Sequence, residues 1–406
     1  MNTVLPLLET PARTLELPGS ARAALATTPF GLYVHVPFCA TRCGYCDFNT
    51  YTSDELGPGA NRSEYAGTAI TELRRAAETL GPDLPTVSTV FVGGGTPTLL
   101  PADDLAAVLG AARELFPMAD DVEVTTEANP ESVTSASLSR LREAGFTRVS
   151  LGMQSAAEHV LAVLDRRHTP GRAVEAAHEA RAAGFEHVNL DLIYGAPGET
   201  DDDWAASLAA VLASPVDHVS AYALIVEDGT RLARRISRGE LPMPDDDVLA
   251  DRYEAADATL RGAGFDWYEV SNWATSEAAR CRHNELYWAN ANWWGIGPGA
   301  HSHVGGLRWW NVKHPAAYAD RLAAGLHPAA DVEQLTAEDQ ALERVMLGLR
   351  LRDGLPLTAL SEAGRLRAAE SVVRGLLEPG PHAAGLAVLT DRGRLLADAV
   401  IRDLTD

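Results

Sequence analysis

Six short apolar segments, each followed by an amphipathic, alanine-rich segment, constrain the fold of this chain most strongly. The predicted strands are GLYVHV (31–36), STVFVGG (88–94), VEVTTE (122–127), RVSLGM (148–153), HVNLDLI (187–193) and DHVSAYAL (217–224). The predicted helices lie near 63–80, 102–116, 134–144, 155–165, 171–184 and 201–212. Strands that are apolar on both faces and alternate with helices are typical of a covered parallel sheet. The pattern therefore predicts an α/β fold built as a right-handed, parallel (β/α)6 barrel or partial barrel.

The rest of the chain has a different composition. Residues 271–314 hold most of the eight tryptophans, and helical patterns beyond about residue 334 lead to a predicted hairpin and a last helix. We therefore predict four parts. They are an N-terminal tail (1–28), the barrel (29–270), an aromatic-rich segment (271–330) and a mainly helical, winged-helix-like C-terminal domain (331–406).

Charge and hydropathy exclude several classes of protein. The net charge is −22 and the arginines are dispersed beside acids, which disfavours nucleic-acid binding. The first 28 residues carry early acids and no continuous apolar stretch, so no signal peptide is predicted. No apolar run approaches the ~20 residues that a membrane span needs. We expect a cytoplasmic protein without a membrane span.

Three of the four cysteines, Cys39, Cys43 and Cys46, fall in one loop with the spacing C-x3-C-x2-C. Thiolates are the ligands that iron–sulfur clusters take. Zinc would need a fourth protein ligand, and Asp47 is the one nearby candidate. The odd count argues against disulfides. The loop predicts a four-iron cluster with one iron left open, and the alternative is a buried cysteine cluster without metal.

Polar residues or glycines follow each predicted strand. After the cysteine loop come the GGGTPT turn (93–98), Glu127, Gln154, Asp191 and Tyr222. The carboxyl ends of parallel barrel strands share one face, so these groups should surround a single mouth. Any one of them alone is more often a helix cap.

The chemistry of this mouth indicates a ligand. Glycines allow a ligand to approach the backbone closely, and Glu127, Gln154 and Asp191 suit ribose hydroxyls. Arg166 suits a carboxylate. An amino acid joined to a ribose, beside an iron with an open position, describes S-adenosylmethionine.

With these motifs the sequence resembles the radical S-adenosylmethionine superfamily. C-x3-C-x2-C with Tyr45 before its last cysteine matches the signature of that superfamily. The strings LYVHVPFC, FVGGGTPT, TTEANP, SLGMQS, NLDLIYGAPGET, YEVSNWA and RHNELYW resemble the group of oxygen-independent coproporphyrinogen III oxidases and heme chaperones (the HemN/HemW group). The resemblance implies a radical S-adenosylmethionine partial barrel and a [4Fe–4S] cluster on the three cysteines. It also implies S-adenosylmethionine contacts, in one or two bound molecules, at Tyr33, Tyr45, Gly94, Gly95, Thr96, Glu127, Gln154, Arg166 and Asp191.

Two features separate the oxidases from the chaperones of this group. The oxidases carry a further cysteine where this chain has Phe48, and they have a longer N-terminal segment. The chaperones carry an H-N-x-x-Y-W string, which residues 283–288 match, and its histidine, His283, is the implied heme ligand. A histidine in a tryptophan-rich stretch is alternatively a packed core residue. Cys281, His301 and His303 are further candidate ligands, with Cys281 more simply an inert buried thiol.

Three functions follow, in order. The first is a heme chaperone that binds heme and transfers it to an acceptor protein, without classical turnover. The second is an oxygen-independent coproporphyrinogen III oxidase in porphyrin biosynthesis, and the third is radical chemistry on a different substrate. We expect a monomer or weak dimer.

Overall fold

The computed structural model describes residues 15–56 and 61–405, so residues 1–14 of the predicted tail lie outside the described residues. The strands are β1 (Phe30–Val36), β2 (Val87–Gly94), β3 (Met118–Ala128), β4 (Arg148–Gln154), β5 (His187–Tyr194), β6 (His218–Ala223), β7 (Asp266–Glu269), β8 (Asn272–Ala274), β9 (Asn292–Ile296), β10 (His301–Val304), β11 (Leu307–Asn311), β12 (Ala329–Gln334), β13 (Leu355–Pro356) and β14 (Leu386–Ala387). The first nine helices are α1 (Gly19–Leu25), α2 (Ser53–Leu56), α3 (Arg62–Leu80), α4 (Ala102–Leu115), α5 (Ser135–Ala144), α6 (Glu158–Val163), α7 (Arg172–Ala182), α8 (Asp201–Leu212) and α9 (Arg231–Ser237). The later helices are α10 (Asp246–Gly262), α11 (Arg282–Trp288), α12 (Pro315–Ala323), α13 (Ala337–Gly348), α14 (Glu362–Val373), α15 (Pro379–Ala383), α16 (Asp391–Leu395) and α17 (Ala397–Thr405).

Strands β1 to β6 lie side by side in sequence order, and each pairs in parallel with the next. The six predicted strands and the helices between them are therefore confirmed, and so is the α/β fold with a parallel partial barrel. Alternate strand residues point into the barrel or outward under the helices. The outward set is aliphatic, for example Val34, Val92 and Leu190, and is buried. The inward set is largely polar, for example His35, Glu123 and Asn189, so the expectation that the strands are apolar on both faces is wrong for the inner face. The polar interior leaves the barrel available for a site.

The sheet continues beyond the six core strands at both edges. Strand β9 adds in parallel to β1, and β10, β11 and β12 follow it in antiparallel order. Strands β8 and β7 extend the opposite edge beyond β6. The predicted aromatic-rich segment thus supplies strands of the main sheet, where Trp294 and Trp309 pack edge to face at 4.7 Å. The predicted domain boundaries stay a prediction.

The C-terminal region has an apolar core of its own, formed by residues such as Val345, Leu377 and Val400. It is mainly helical, as predicted, but the predicted hairpin is wrong. The two-residue strand β14 pairs with β13, about thirty residues earlier, and not with an adjacent strand. The segment from Thr390 onward forms helices because Thr390 caps α16 through its hydroxyl.

A buried arginine joins this region to the barrel. Arg394 on α16 donates to both carboxylate oxygens of Asp257 on α10, at 3.1 and 2.9 Å, and lies 4.6 Å from the Trp267 ring. A paired and stacked guanidinium tolerates burial that a lone charge would not. Within the described ranges, no helix is both long and apolar enough to cross a bilayer.

Candidate cofactor site

The cysteine loop follows β1 directly, at the carboxyl edge of the parallel strands. The Cys39 amide donates to the carbonyl of Tyr51 at 3.0 Å, which closes the loop on itself. The Gly44 amide donates to the carbonyl of Leu164 at 3.0 Å, and the Gly44 carbonyl accepts from the Leu232 amide at 2.8 Å. The loop is therefore fixed from within and by the segments next to α6 and α9.

The three loop thiols are free, and the surroundings of two of them, Cys39 and Cys46, oppose ionisation. Burial, followed by the neighbouring thiols, raises the pKa of Cys39 to about 11, and burial also raises the pKa of Cys46. Arg166 Nη1 donates to Cys43 Sγ at 3.7 Å. Among the described residues the thiols do not already form a group suited to one metal ion. A four-iron cluster differs in that each thiolate binds a separate iron, so this donor set fits a cluster whose positive charge holds the thiolates ionised.

Tyr45 anchors the same loop from the side. Its ring packs with the apolar cluster that contains Val160, Leu164 and Leu232. Burial raises the pKa of its hydroxyl, and the Cys43 thiol adds to that rise. The predicted signature tyrosine thus lies beside the thiols, with its ring against the barrel helices.

The glycine turn after β2 packs tightly on the cysteine loop. A side chain at Gly95 would meet the Phe38 carbonyl oxygen at 2.5 Å and Cys39 Sγ at 3.0 Å, so this close approach requires glycine. The amides of Gly94, Gly95 and Thr96 donate to Glu127, Val36 and Phe38. Because these three amides are already used, the turn can offer a ligand its carbonyl acceptors, which suit a protonated amine.

Glu127 and Asp191 are two carboxyl groups within electrostatic reach of each other. The Gly94 amide donates to Glu127 Oε2 at 2.9 Å, while Asp191 accepts from the Ser150 hydroxyl at 2.8 Å and the Asn189 amide at 2.7 Å. Burial, with Asp191 next, raises the pKa of Glu127 to about 8. Burial also raises the pKa of Asp191, against the hydrogen bonds that lower it. At pH 7 the Glu127 carboxyl holds its proton in the absence of a cationic ligand.

Gln154 and Arg166 complete the mouth on the β4 side. The β4–β5 register shifts between Gly152 and Gln154, and Gln154 has φ +65°, a left-handed conformation that is uncommon outside glycine. Arg166 Nη2 donates to the Gly152 carbonyl at 2.9 Å, and its buried Nε has no partner among the described residues. An unpaired buried donor beside the thiols fits a ligand carboxylate.

An aromatic cluster, which we call the aromatic floor, lies next to the mouth residues. Tyr33 donates to or accepts from His35 Nδ1 at 2.9 Å, and its ring stacks near Phe91 at 6.3 Å. His283 on α11 stacks on Phe91 at 5.1 Å and lies edge-on to Tyr287 at 4.8 Å. Burial raises the pKa of Tyr33, and the Glu127 charge adds to that rise, so the aromatic floor lies next to the mouth residues.

Helix α11, which carries the HNELYW string, lies against the inner face of β1 and β2. Glu123 on β3 accepts from the His283 amide at 3.1 Å and the Arg282 amide at 3.3 Å, so its carboxylate caps the helix. Arg148 on β4 donates to Glu123 at 3.1 Å, and both side chains are buried. Arg148 also donates to the carbonyls before α11, at residues 279 and 280. The helix is fixed to the barrel interior by this buried pair.

The structure brings the three cysteines, the glycine turn and the mouth residues together at one end of the sheet. It places Tyr33 and His283 in the floor below them. His283 does not fit the implied role of heme ligand, because its side chain is 1% exposed and both ring nitrogens are engaged. Nδ1 lies 2.8 Å from the Thr89 hydroxyl and Nε2 lies 3.0 Å from the Tyr287 hydroxyl. Burial lowers the pKa of this imidazole to about 3.

Two other candidate ligands are also buried. Cys281 is 3% exposed, burial raises the pKa of its thiol, and its Sγ lies 3.7 Å from the Glu123 carboxylate. These features are those of an inert buried thiol. His303 is 3% exposed, and its ring nitrogens bond the Ala291 carbonyl at 2.8 Å and the Gly306 amide at 3.1 Å. His301, by contrast, is exposed.

Sequence reasoning missed three residues that hold the site. His35 Nε2 lies 2.9 Å from the Asn49 carbonyl and so ties β1 to the cysteine loop. Asn49 Nδ2 donates to the carbonyls of Pro298 at 3.0 Å and Lys313 at 2.8 Å, which ties the loop to β9 and β11. Alternation along β1 gives His35 the same face as Tyr33, a signal that could have identified it. Glu123 shares the inward face of β3 with Glu127 in the same way.

Two family models match this chain. The radical SAM superfamily model matches residues 33–211, and the HemN C-terminal domain model matches residues 335–396. These matches cover the barrel with its cysteine loop and most of the C-terminal helical region.

Known proteins resemble the chain over nearly its whole length. A heme chaperone HemW from Mycobacterium tuberculosis is 57% identical over 96% of this chain and 98% of the relative, and one from Bacillus subtilis is 35% identical over 91% and 97%. The solved structure of coproporphyrinogen III oxidase (HemN) from Escherichia coli superposes with a TM-score of 0.80, covering 100% of this chain and 96% of that chain at 23% identity. That last likeness shows the fold. The chain therefore belongs to the radical SAM superfamily and, within it, to the HemW family.

Proposed function

We propose that this protein is a heme chaperone, which binds heme and transfers it to an acceptor protein. The observation that carries the proposal is the 57% identity to a relative named heme chaperone HemW, over 96% of the chain. The free cysteines suit a cytoplasmic location, where thiols stay reduced, and we propose that the protein acts as a monomer or weak dimer. The four predicted parts stay our proposal for its domains.

Cys39, Cys43 and Cys46 would hold a [4Fe–4S] cluster, and the residues at the mouth would hold S-adenosylmethionine at the remaining iron. When bound there, a reduced cluster would supply one-electron chemistry at the sulfonium of the ligand. Support for the cysteine assignment comes from three free thiols in one loop. Burial raises the pKa values of Cys39 and Cys46, so a nearby positive charge would favour their ionised forms.

The chain's own groups match the charged ends of such a ligand. The unpaired Nε of Arg166 suits the carboxylate, and the carbonyls of Gly94 and Gly95 suit the ammonium. Asp191 and Gln154 would accept or donate at the ribose hydroxyls. Tyr33 and Tyr45 would bound the pocket below and beside the thiols, and Thr96 would hold the glycine turn against the loop.

Glu127 would respond to the charge of the ligand. Its pKa of about 8 means that the carboxyl is neutral at pH 7, and a bound cationic sulfonium would favour its ionised form. Binding would then release a proton between pH 6 and 8, a range that follows from the raised pKa.

Heme titration of the cluster-reconstituted protein under anaerobic conditions tests the proposal. Saturable binding near one heme per chain, followed by transfer of the heme to an apoprotein, is the expected result. Unsaturable or absent heme binding by protein with a full iron content would contradict it.

The oxidase alternative is not favoured. Phe48 occupies the position of the oxidases' further cysteine, and its side chain is 55% exposed beside the loop. At 23% identity the structural likeness to the oxidase carries the fold and no activity.

A further inference from the structure

A histidine that ligates heme iron needs a free ring nitrogen and a side chain that a macrocycle can reach. Of the twelve histidines, His35, His218, His283, His303 and His327 are buried. His283 also has both ring nitrogens bonded to protein hydroxyls. Ligation by His283 would require the opening of the aromatic floor and the entry of heme into the barrel core. The ligand therefore has to be sought among the exposed histidines.

His301, the first residue of β10, meets both requirements. Its side chain is exposed, and its ring makes no hydrogen bond to any residue that the structure describes. The imidazole stacks on the Trp310 ring of β11, with centroids 5.6 Å apart and planes 24° apart. Partial burial of the ring, followed by the charges of Lys313 and Arg308, lowers the pKa of His301, which favours the neutral form of the imidazole. A neutral imidazole held against an aromatic ring is a ready metal ligand.

The position of His301 connects it with the cofactor site. His303, two residues on, shares its face of β10 and lies 5.0 Å from Trp293, which in turn lies 4.7 Å from Tyr287 on α11. His301 therefore faces the inner side of the sheet. Burial lowers the pKa of His35, which holds the cysteine loop, and His301 lies close enough to add a small further lowering.

Asn49 fixes this neighbourhood. Its side-chain amide donates to the carbonyl of Pro298, just before β10, and to that of Lys313, just after β11. The segments on both sides of the His301–Trp310 pair are thus bonded to the cysteine loop. A ligand on His301 would lie at the edge of the same mouth.

Local charge suits a ligand that carries carboxylates. Lys313 is exposed and forms no ion pair within the described residues, whereas Arg308 is paired with Glu343. In a chain of net charge −22, an unpaired cation beside an exposed imidazole is a local exception. Heme carries two propionates, which a lysine can pair with as a point charge.

We propose that His301 is an axial ligand of the heme iron, that Trp310 orients its imidazole, and that Lys313 pairs with a heme propionate. This proposal rests on the proposed heme-chaperone function. It assigns the heme iron to His301 in place of His283. Because Trp310 lies nearly parallel to the imidazole and stacks on it, Trp310 would act as a positioning residue.

Anaerobic heme titration by absorption spectroscopy, with the cluster-reconstituted full chain, tests the ligand. His301→Ala should lose the histidine-ligated heme spectrum and weaken binding by about tenfold or more, since losing even a partner of a metal ligand costs roughly 10–100-fold. Added imidazole should restore the spectrum. His314→Ala is the matched control, because His314 is also exposed and lies against Tyr51 of the cysteine loop. It should behave as the wild-type protein does.

Two results would overturn the ligand assignment while leaving the function intact. One is wild-type heme binding that His301→Ala leaves unchanged in spectrum and affinity, and the other is loss of the spectrum in His314→Ala alone. A wild-type protein that binds no heme would instead overturn the proposed function and this inference with it. The iron content of each variant, measured in parallel, separates a loss of heme binding from a loss of the folded cluster loop.

Heme dimethyl ester tests the propionate contact, because the ester lacks the two carboxylate charges. Lys313→Gln should weaken the binding of heme by about two- to fivefold, the effect of one exposed ion pair, and leave the binding of the ester unchanged. Equal weakening for both ligands would overturn the role of Lys313. Trp310→Leu should keep the ligated absorption spectrum but broaden the electron paramagnetic resonance signal of the bound ferric heme, and an unchanged signal would overturn its positioning role.

Discussion

Replacing Glu123 tests whether helix α11 is held in the barrel by a buried charge pair. Glu123→Gln keeps the size of the side chain and an oxygen that can accept from the α11 amides, but it removes the negative charge. Arg148, whose side chain is 2% exposed, would then be a buried cation without a counter-ion. Breaking such a pair costs about 3–5 kcal/mol of the free energy of unfolding. Since Arg148 keeps its hydrogen bonds to two carbonyls, we expect Glu123→Gln to lower the free energy of unfolding by about 3 kcal/mol, the low end of this range.

Urea unfolding followed by tryptophan fluorescence measures this change. Asp121→Asn is the matched control, because Asp121 pairs with Arg282 of the same helix but is 79% exposed. It should cost about 0–1 kcal/mol. The double variant Glu123→Gln, Arg148→Met should recover much of the loss, since it removes the unpaired charge. A loss below about 1 kcal/mol in Glu123→Gln, equal to the control, would refute the buried-pair account.

Four further predictions test other parts of the account. Because the pKa of Glu127 is raised to about 8, between pH 4.5 and 8 the folded protein holds a proton that the unfolded chain has lost, so the free energy of unfolding falls as pH rises. Glu127→Gln should reduce this pH dependence, measured by urea unfolding, by up to about 1.4 kcal/mol per pH unit. An unchanged pH dependence would exclude this carboxyl as its source. Gly95→Ala should push the glycine turn away from Cys39 and lower the iron content after reconstitution, with little change in far-UV circular dichroism. A full iron content would show that the turn can move to accept a side chain without disturbing the cysteine loop. Cys43→Ala should abolish cluster assembly, whereas Cys281→Ala, which replaces the buried fourth cysteine, should leave the iron content unchanged. Equal losses of iron in both variants would contradict the assignment of the cluster to the loop. Arg394→Met should lower the free energy of unfolding by about 3–5 kcal/mol, whereas Arg392→Met, at an exposed position, should have little effect. Similar unfolding curves for the two variants would show that the Arg394–Asp257 pair does not anchor the C-terminal region to the barrel.

The parallel barrel was predictable because its signal is local. Strands such as β2 and β5 are short segments rich in apolar and β-branched residues, and their amphipathic neighbours follow at regular intervals. The polar residues at the strand ends were predictable for the same reason, since a parallel barrel places all these ends together. The mouth could thus be assembled from sequence without any long-range contact being known.

The position of α11 was not predictable in this way. What fixes His283 inside the barrel is a carboxylate 160 positions earlier, Glu123, together with Thr89 on β2. Nothing local distinguishes a buried histidine with two hydroxyl partners from an exposed one that binds metal. The resemblance pointed to His283 by its motif, and the tertiary contacts place it in the core.

The wrong hairpin has a similar origin. Segment 385–389 has the alternation of a short strand, but its partner, at Leu355–Pro356, is far away in sequence. The amides of the glycine turn also could not be assigned from sequence, because their acceptors include Glu127 on a different strand. The local sequence pattern shows which hydrogen-bonding groups a segment carries. Contacts with distant strands determine which of those groups are already bonded within the protein and which remain available to a ligand.

The central claim is that this chain carries heme and does not oxidise porphyrinogens. The most direct test is anaerobic incubation of the cluster-reconstituted protein with coproporphyrinogen III, S-adenosylmethionine and a reductant, with a heme titration of the same preparation. We predict saturable heme binding and no protoporphyrinogen beyond a single turnover. Protoporphyrinogen formed over many turnovers would contradict the claim and make this protein an oxidase despite Phe48.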